Sequence, residues 1–217
     1  MFATSQVEQP MSFETETQTL DVAQAAAARR SVRLYKQEPV SREDLERIFE
    51  IVRLAPSAYN VQPWRFVVAT EPELKTKLGV AANGQKQVTG APAVIVLYTD
   101  MKDVLENVDE IMHPGIPADK RAAGAAGFRA SWASKSDAER EQWGAGQGYI
   151  ALGYLLLAAS SPGYATSPML GFDPAKVKEA LGLPEHVMIP AMVSIGRGDE
   201  DGFTHHRHAL ERIVSYR

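Results

Sequence analysis

The chain has 217 residues, and its 23 basic and 27 acidic side chains leave a net charge of -4, so nothing in the overall charge supports a nucleic-acid surface. It contains no cysteine, which removes disulfides, thiolate catalysis and cysteine-bound metals, suits a cytoplasmic protein, and leaves any redox chemistry to a bound cofactor. The length allows one domain with a substantial core.

Residues 1–19 are rich in Ser, Thr, Gln and Glu, and the first cation is Arg29. The segment lacks the basic flank and apolar centre of a signal peptide and reads as a flexible arm, free to dock on a partner subunit. Residues 20–217 read as a single domain. Residues 20–30 are strong helix formers that deliver Arg29 and Arg30 at their end. A second helix starts after Ser41, with Glu43 and Asp44 in its first turn and Leu45, Ile48, Phe49 and Val52 as its apolar stripe. Pro56 stops it. Residues 64–70 read as a buried strand, and residues 71–82 as a helix capped at Thr70 that ends near Asn83-Gly84.

Residues 94–98 form a second buried strand, because five consecutive apolar residues suit a sheet covered on both faces. The longest apolar strings are strand-sized and fall short of the roughly 20 residues a membrane helix needs. Residues 100–146 mix Pro114, Pro117, a Gly/Ala-rich run and two tryptophans, which predicts broken helices and a mobile cover. Residues 147–160 form the most apolar helix. Residues 165–169 suggest a short strand. Asp173 and Pro174 open a helix over 173–181, residues 187–195 supply another strand, and a final strand or tail follows His208. Strands separated by this much helix indicate an α+β sandwich.

Two stretches carry chemistry. Arg29-Arg30-Ser31-Val32-Arg33 sets arginine forks around a hydroxyl, a set of donors suited to a phosphate monoester; solvent-facing arginines complementing a helix C-terminus are the alternative. The second stretch, Ala55-Pro56-Ser57-Ala58-Tyr59-Asn60-Val61-Gln62-Pro63-Trp64, is by itself compatible with an ordinary turn.

In this order the two stretches resemble the nitroreductase family of FMN-dependent oxidoreductases. The resemblance runs from about residue 20 to the end of the chain. It includes the apolar strand after Ala91-Pro92, the Gln-led helix that runs on toward Gly171-Phe172-Asp173-Pro174, and the basic tail at Arg207 before Leu210-Glu211. It implies an α+β fold, a three-layer α-β-α sandwich with a mixed, mainly antiparallel central sheet, assembled as a homodimer with two FMN sites at the interface. By the same resemblance Arg29 and Ser31 hold the FMN phosphate and ribityl oxygens, Arg30 contributes at least its backbone, and Arg33 reaches the pyrimidine edge of the ring. Pro56, Ser57, Ala58 and Asn60 reach the flavin of the other subunit. Either Gln85 or Gln87 faces the ribityl or pyrimidine edge, with Gln87 favoured.

Gln147 is a further candidate, as a buried amide needs partners, and backbone groups could also be those partners. Pro168, Met169, Leu170 and Gly171 match the segment lying along the flavin, with a backbone N–H at Leu170 or Gly171 directed to N5. Some relatives have an acidic residue where this chain has Leu170, so a carboxylate role there is in doubt. Arg207 matches a terminal phosphate-binding arginine, and His205 stands where a lysine is common, which predicts FMN affinity falling as pH rises. The histidines of His205-His206-Arg207-His208 have no identified carboxylate partner and are weak grounds for a metal. Trp64 reads as core. Phe128, Trp132 and Trp143 either cover the flavin and stack on flat substrates or pack in the core.

The implied activity is ping-pong transfer of electrons from NADH or NADPH, through flavin N5, to nitroaromatics, quinones or related flat acceptors. No Gly-x-Gly-x-x-Gly follows a strand, which argues for a nicotinamide bound transiently over the flavin. A specialised aldehyde or enone reductase, a flavin-degrading enzyme and a non-catalytic flavin-binding module remain as alternatives.

Overall fold

The computed structural model describes residues 19–217, so the arm expected over residues 1–19 lies outside the described residues apart from Thr19. Helix α1 (Val22–Ala28) opens on a reciprocal cap: Asp21 accepts from the Gln24 N–H at 2.8 Å, and Gln24 accepts from the Asp21 N–H at 3.0 Å. It ends at Arg29, whose φ of -58° and ψ of 128° turn the chain out of the helix. Helix α2 (Arg42–Val52) starts at Ser41, which accepts from the Asp44 N–H at 3.0 Å, and buries Leu45, Ile48 and Val52. A short 3-10 turn at Ala58–Asn60 leads into strand β1 (Trp64–Ala69).

Helix α3 (Pro72–Ala81) is capped at Glu71 rather than at Thr70, because Pro72 has no N–H and is accommodated in the first turn. Then come α4 (Lys86–Gly90), β2 (Ala93–Thr99), α5 (Met101–Glu106), a 3-10 turn at Val108–Ile111, α6 (Ala118–Trp132) and α7 (Asp137–Ser160). Residues 100–146, expected to hold broken helices, are divided into α5, the 3-10 turn, α6 and the first part of α7, with breaks at 112–117 and 133–136. Helix α7 starts well before Gln147 because Ser136 and Glu139 form a second reciprocal cap, and its first turns are too polar to show an apolar period. The chain closes with β3 (Ala165–Met169), α8 (Pro174–Leu181), β4 (Met188–Gly196) and α9 (Leu210–Ile213). The segment after His208 therefore contains a helical turn and not a strand.

The sheet has the order β1-β2-β4-β3, with each neighbouring pair antiparallel. A parallel contact enters through an isolated bridge between Ser31 and Thr166, outside the named strands. Side-chain alternation along β2 sends Ala93, Ile95 and Leu97 to one face, against α2 and α7, and Val94 and Val96 to the other, against residues of α3 and α8. Both faces are covered, which is the three-layer α-β-α arrangement. Burial of each large aliphatic side chain contributes about 1.5–3 kcal/mol. Gly148 lets α7 approach closely, because a Cβ there would stand 3.1 Å from Thr99 Cγ2 and 3.2 Å from Pro190 Cγ. Strand β3 lies at the edge, where Pro168 withholds an N–H without breaking an interior ladder. No helix among the described residues is long and apolar enough to cross a membrane.

Candidate functional site

Arg29 leaves α1 partly buried, and its Nη1 atom is buried without a hydrogen-bond partner among the described residues. Burial first, then the nearby Arg207 and Arg30, push its guanidinium below the usual arginine range. A buried cation facing other cations is costly until an anion joins it. The C-terminal tail returns to this place: His205 Nε2 lies 2.7 Å from the Arg29 carbonyl oxygen and 3.0 Å from Arg30 Nη1. His205 can donate to that carbonyl through Nε2, so part of its role is to tie the tail to the cation cluster. Gly202, at φ 67°, allows the strap between β4 and the tail to pass, since a Cβ there would be 3.0 Å from Arg30 Cβ and 3.2 Å from the Ser31 carbonyl oxygen.

Ser31 joins this cluster to the sheet edge through its bridge to Thr166, and the adjoining Val32 N–H donates to the Thr166 carbonyl at 3.2 Å. Thr166 Oγ1 is the other buried side-chain polar atom without a partner among the described residues. Two orphaned polar atoms thus flank Ser31 in chain or in space, a pattern native structures resolve with a ligand or water. Arg33 is exposed, and its backbone N–H and that of Leu34 both donate to Glu200 Oε1, at 2.6 and 3.2 Å. Tyr35 fastens the segment from beneath: its hydroxyl donates to the Val32 carbonyl at 2.7 Å and lies 2.8 Å from Ser194 Oγ, and burial raises its pKa to about 12.

From Thr166 the edge strand runs through Pro168 and Met169 to the exposed Leu170 and Gly171. The Gly171 carbonyl accepts from Gln85 Nε2 at 2.8 Å and from Asn83 Nδ2 at 3.1 Å. Gln87, only 8% exposed, donates from Nε2 to Gln85 Oε1 at 2.8 Å. The two glutamines therefore act in series. Cations, hydroxyl, edge strand and amides form one connected group along β3.

The Pro56-to-Asn60 stretch belongs to a second group. The Ala58 N–H donates to Gln147 Oε1 at 2.9 Å, so the partner of Gln147 is backbone, but the side chain is half-buried and not the buried amide expected from its apolar helix. Ser57 Oγ accepts from the Gln62 N–H at 3.0 Å, and Asn60 Nδ2 donates to the Ile111 carbonyl at 3.3 Å. Tyr59, Asn60 and Gln62 have φ of 55°, 58° and 41°, a left-handed backbone that costs about 1 kcal/mol or more at each such residue and concentrates at functional loops. Trp64 is buried in the core. Tyr59 meets Phe128 edge-on at 5.7 Å, and Phe128, Trp132 and Trp143 continue the aromatic contact. These residues, with His113 and Lys135, line a cavity of about 770 Å³. Phe128 is buried, Trp132 and Trp143 pack against it partly buried, and all three also line this cavity.

One charged cluster escaped sequence reasoning because its members share no motif. Asp100, Glu141 and His186 bring ligand atoms within 4.8 Å of one another. Their partners are protein groups: Glu141 accepts from the Met101 N–H at 2.5 Å and Thr99 Oγ1 at 2.9 Å, and His186 Nε2 lies 3.0 Å from Asp100 Oδ1. Burial raises the Glu141 pKa against these hydrogen bonds. The cluster braces α7 against the β2–α5 junction.

Comparison with known proteins gives a consistent result. The sequence profile of the nitroreductase family matches residues 26–197. A Thermus thermophilus protein named NADH dehydrogenase is 45% identical over 204 residues, covering 94% of this chain and 100% of its own. A Bacillus subtilis protein, YdgI, provisionally named an NAD(P)H nitroreductase, is 31% identical over 92% of this chain and 99% of its own. Among solved structures, a chain from Exiguobacterium sibiricum, provisionally named a nitroreductase and crystallised in complex with FMN, superposes with a TM-score of 0.84 at 27% identity, covering 93% of this chain and 100% of that one.

Proposed function

The chain belongs to the nitroreductase family, and from that membership we propose that it is an FMN-dependent oxidoreductase that takes reducing equivalents from NADH or NADPH and passes them to nitroaromatic, quinone or related flat acceptors by a ping-pong mechanism. The observation that carries the reading is the buried, unpartnered Nη1 of Arg29 set among Arg30 and Arg207. That donor set suits a phosphate monoester, which offers oxygens to guanidinium forks from several sides. Thr166 Oγ1 and the Ser31 hydroxyl add neutral donors beside it. FMN, when bound, supplies the redox chemistry, accepting hydride at N5 and passing electrons onward.

The protein's part is binding, orientation and electrostatics. Arg29, Arg30, Ser31, His205 and Arg207 hold the phosphate and ribityl end. Arg33 supplies a cation at the pyrimidine edge, where negative charge collects on reduction. Pro168, Met169, Leu170 and Gly171 line one side of the ring, and the Gly171 N–H is the donor for N5. Gln85 and Gln87 act in series on the Gly171 carbonyl and not as alternative contacts to the flavin, given their mutual hydrogen bond. Pro56, Ser57, Ala58 and Asn60 complete the site of the other subunit in a homodimer. The strained backbone at Tyr59 and Asn60 and the tether from Gln147 support a loop held in a shape its own chain does not need. The aromatic cavity beside Tyr59 supports flat acceptors, which stack with little other chemistry. A cytoplasmic location belongs to the same reading, supported by the absence of cysteine.

The test is the anaerobic visible spectrum of the protein with FMN, before and after NADH and NADPH are added separately. Bleaching of bound flavin by either nicotinamide is the expected result. Binding without bleaching would leave a flavin-binding module, and no binding would remove the cofactor assignment.

A further inference from the structure

Gly171 is exposed, and the peptide units on both sides of it are held by hydrogen bonds. On one side the Phe172 N–H donates to the Leu170 carbonyl at 3.0 Å, closing a three-residue turn centred on Gly171. On the other side the Gly171 carbonyl accepts two side-chain amides, Gln85 Nε2 at 2.8 Å and Asn83 Nδ2 at 3.1 Å. Each peptide unit is planar, so the two amides fix the Gly171–Phe172 unit, the Phe172 N–H of that unit holds the Leu170 carbonyl, and the Gly171 N–H, coplanar with the Leu170 carbonyl, takes its direction from it. That N–H donates to no protein acceptor among the described residues.

Satisfying the carbonyl alone does not call for this arrangement. Gly171 and Asn83 are exposed, so water could serve the carbonyl without the entropy cost of ordering two amide side chains. The amides are in turn held from behind. Asn83 sits at φ 56° in the left-handed cap after α3, where its N–H donates to the Val80 carbonyl at 3.2 Å and the Gly84 N–H to the Gly79 carbonyl at 2.9 Å. Gln85 is oriented by the buried Gln87, whose Nε2 donates to Gln85 Oε1 and so assigns the Gln85 amine to Gly171. A glycine that lacks side-chain restraint is thereby given one orientation from outside its own strand.

We propose that Asn83 and Gln85 are positioning residues that fix the Gly171–Phe172 peptide and, through its N–H, the Leu170 carbonyl, so that the Gly171 N–H is presented to flavin N5. The inference rests on the FMN assignment made above. It places the control of N5 in the α3–α4 connection, separate from the cations that hold the phosphate.

The experiment is 15N NMR of the protein loaded with FMN labelled at N5, comparing wild type with Asn83→Gly/Gln85→Ala. Glycine at position 83 keeps the left-handed backbone accessible, so the variant removes the two amides without imposing strain. The expected result is a downfield displacement of the bound N5 resonance, with the FMN dissociation constant within about tenfold of wild type because the phosphate contacts remain. If the double variant does not fold, Asn83→Gly and Gln85→Ala singly are expected to give smaller displacements in the same direction. An N5 resonance unmoved in FMN-loaded variants overturns the positioning role and leaves the FMN assignment standing. A wild-type chain that binds no FMN overturns both.

Discussion

The Ala58 N–H and Gln147 Oε1 meet at 2.9 Å, joining the turn after α2 to the middle of the longest helix. Gln147→Ala removes the acceptor and leaves a loop with three left-handed non-glycine residues to hold itself. The loss in stability is expected to be about 1 kcal/mol, together with a several-fold rise in the FMN dissociation constant measured by flavin fluorescence. Gln147→Glu keeps an acceptor oxygen and is expected to retain most of the affinity. An unchanged dissociation constant in Gln147→Ala would remove the loop from the flavin site.

Arg29 has opposite effects in the empty and the loaded protein. Without an anion its partly buried guanidinium, with Nη1 enclosed, faces Arg207 and Arg30, so Arg29→Leu is expected to raise the Tm of the FMN-free protein. With FMN present the same change removes a charge-assisted contact worth about 1.5–3 kcal/mol, roughly a tenfold to hundredfold loss of affinity. Riboflavin, which lacks the phosphate, is expected to bind both forms alike. Equal losses for FMN and riboflavin would show that Arg29 does not read the phosphate.

Arg33 is anchored through its backbone to Glu200 while its side chain is exposed. Arg33→Ala leaves that anchor in place and removes only the cation. Flavin reduction by the nicotinamide is expected to slow by about 3 kcal/mol in barrier, with little change in FMN affinity. Stopped-flow reduction at the wild-type rate, with normal binding, would show that the cation does not act on the ring.

Two carboxylates set opposite pH slopes on stability. The Tyr164 hydroxyl donates to Asp44 at 2.6 Å and is the main cause of a lowered Asp44 pKa. The unfolded state binds more protons there, so this contribution is present above the ordinary aspartate pKa and is lost as pH falls through the depressed one. Glu141 is raised by burial. Its contribution is full below the ordinary glutamate pKa and is lost as pH rises through the elevated one. Urea titrations across the acid range should therefore show Asp44→Asn flattening the acid-side fall and Glu141→Gln flattening the fall toward neutrality. Wild-type slopes in both variants would contradict these assignments.

Much of the fold was legible because its signals are local. Ser41 with the stripe Leu45, Ile48 and Val52, the unbroken apolar run of β2, and Asp173-Pro174 at the start of α8 each depend on residues a few positions apart. The early start of α7 was hidden because its cap joins Ser136 to Glu139 ahead of turns with no apolar period. The partner of Gln147 is not legible in the sequence for a related reason, since an amide on an apolar helix announces a need for a partner without naming one.

By itself the sequence determined the kinds of group available: a cation run around Ser31, no thiol, the aromatics Phe128, Trp132 and Trp143, and a glycine after a short strand. These follow from residue identity and from contacts within a turn or two. Only the tertiary structure decided which groups meet. It brings Arg207 to Arg29, Gln85 and Asn83 to Gly171, and Glu141 to Asp100 and His186. The register of the sheet and the packing of α7 across it bring these distant segments together, and that packing arises from burial, which depends on the summed area of many side chains and has no directional signature in any one of them.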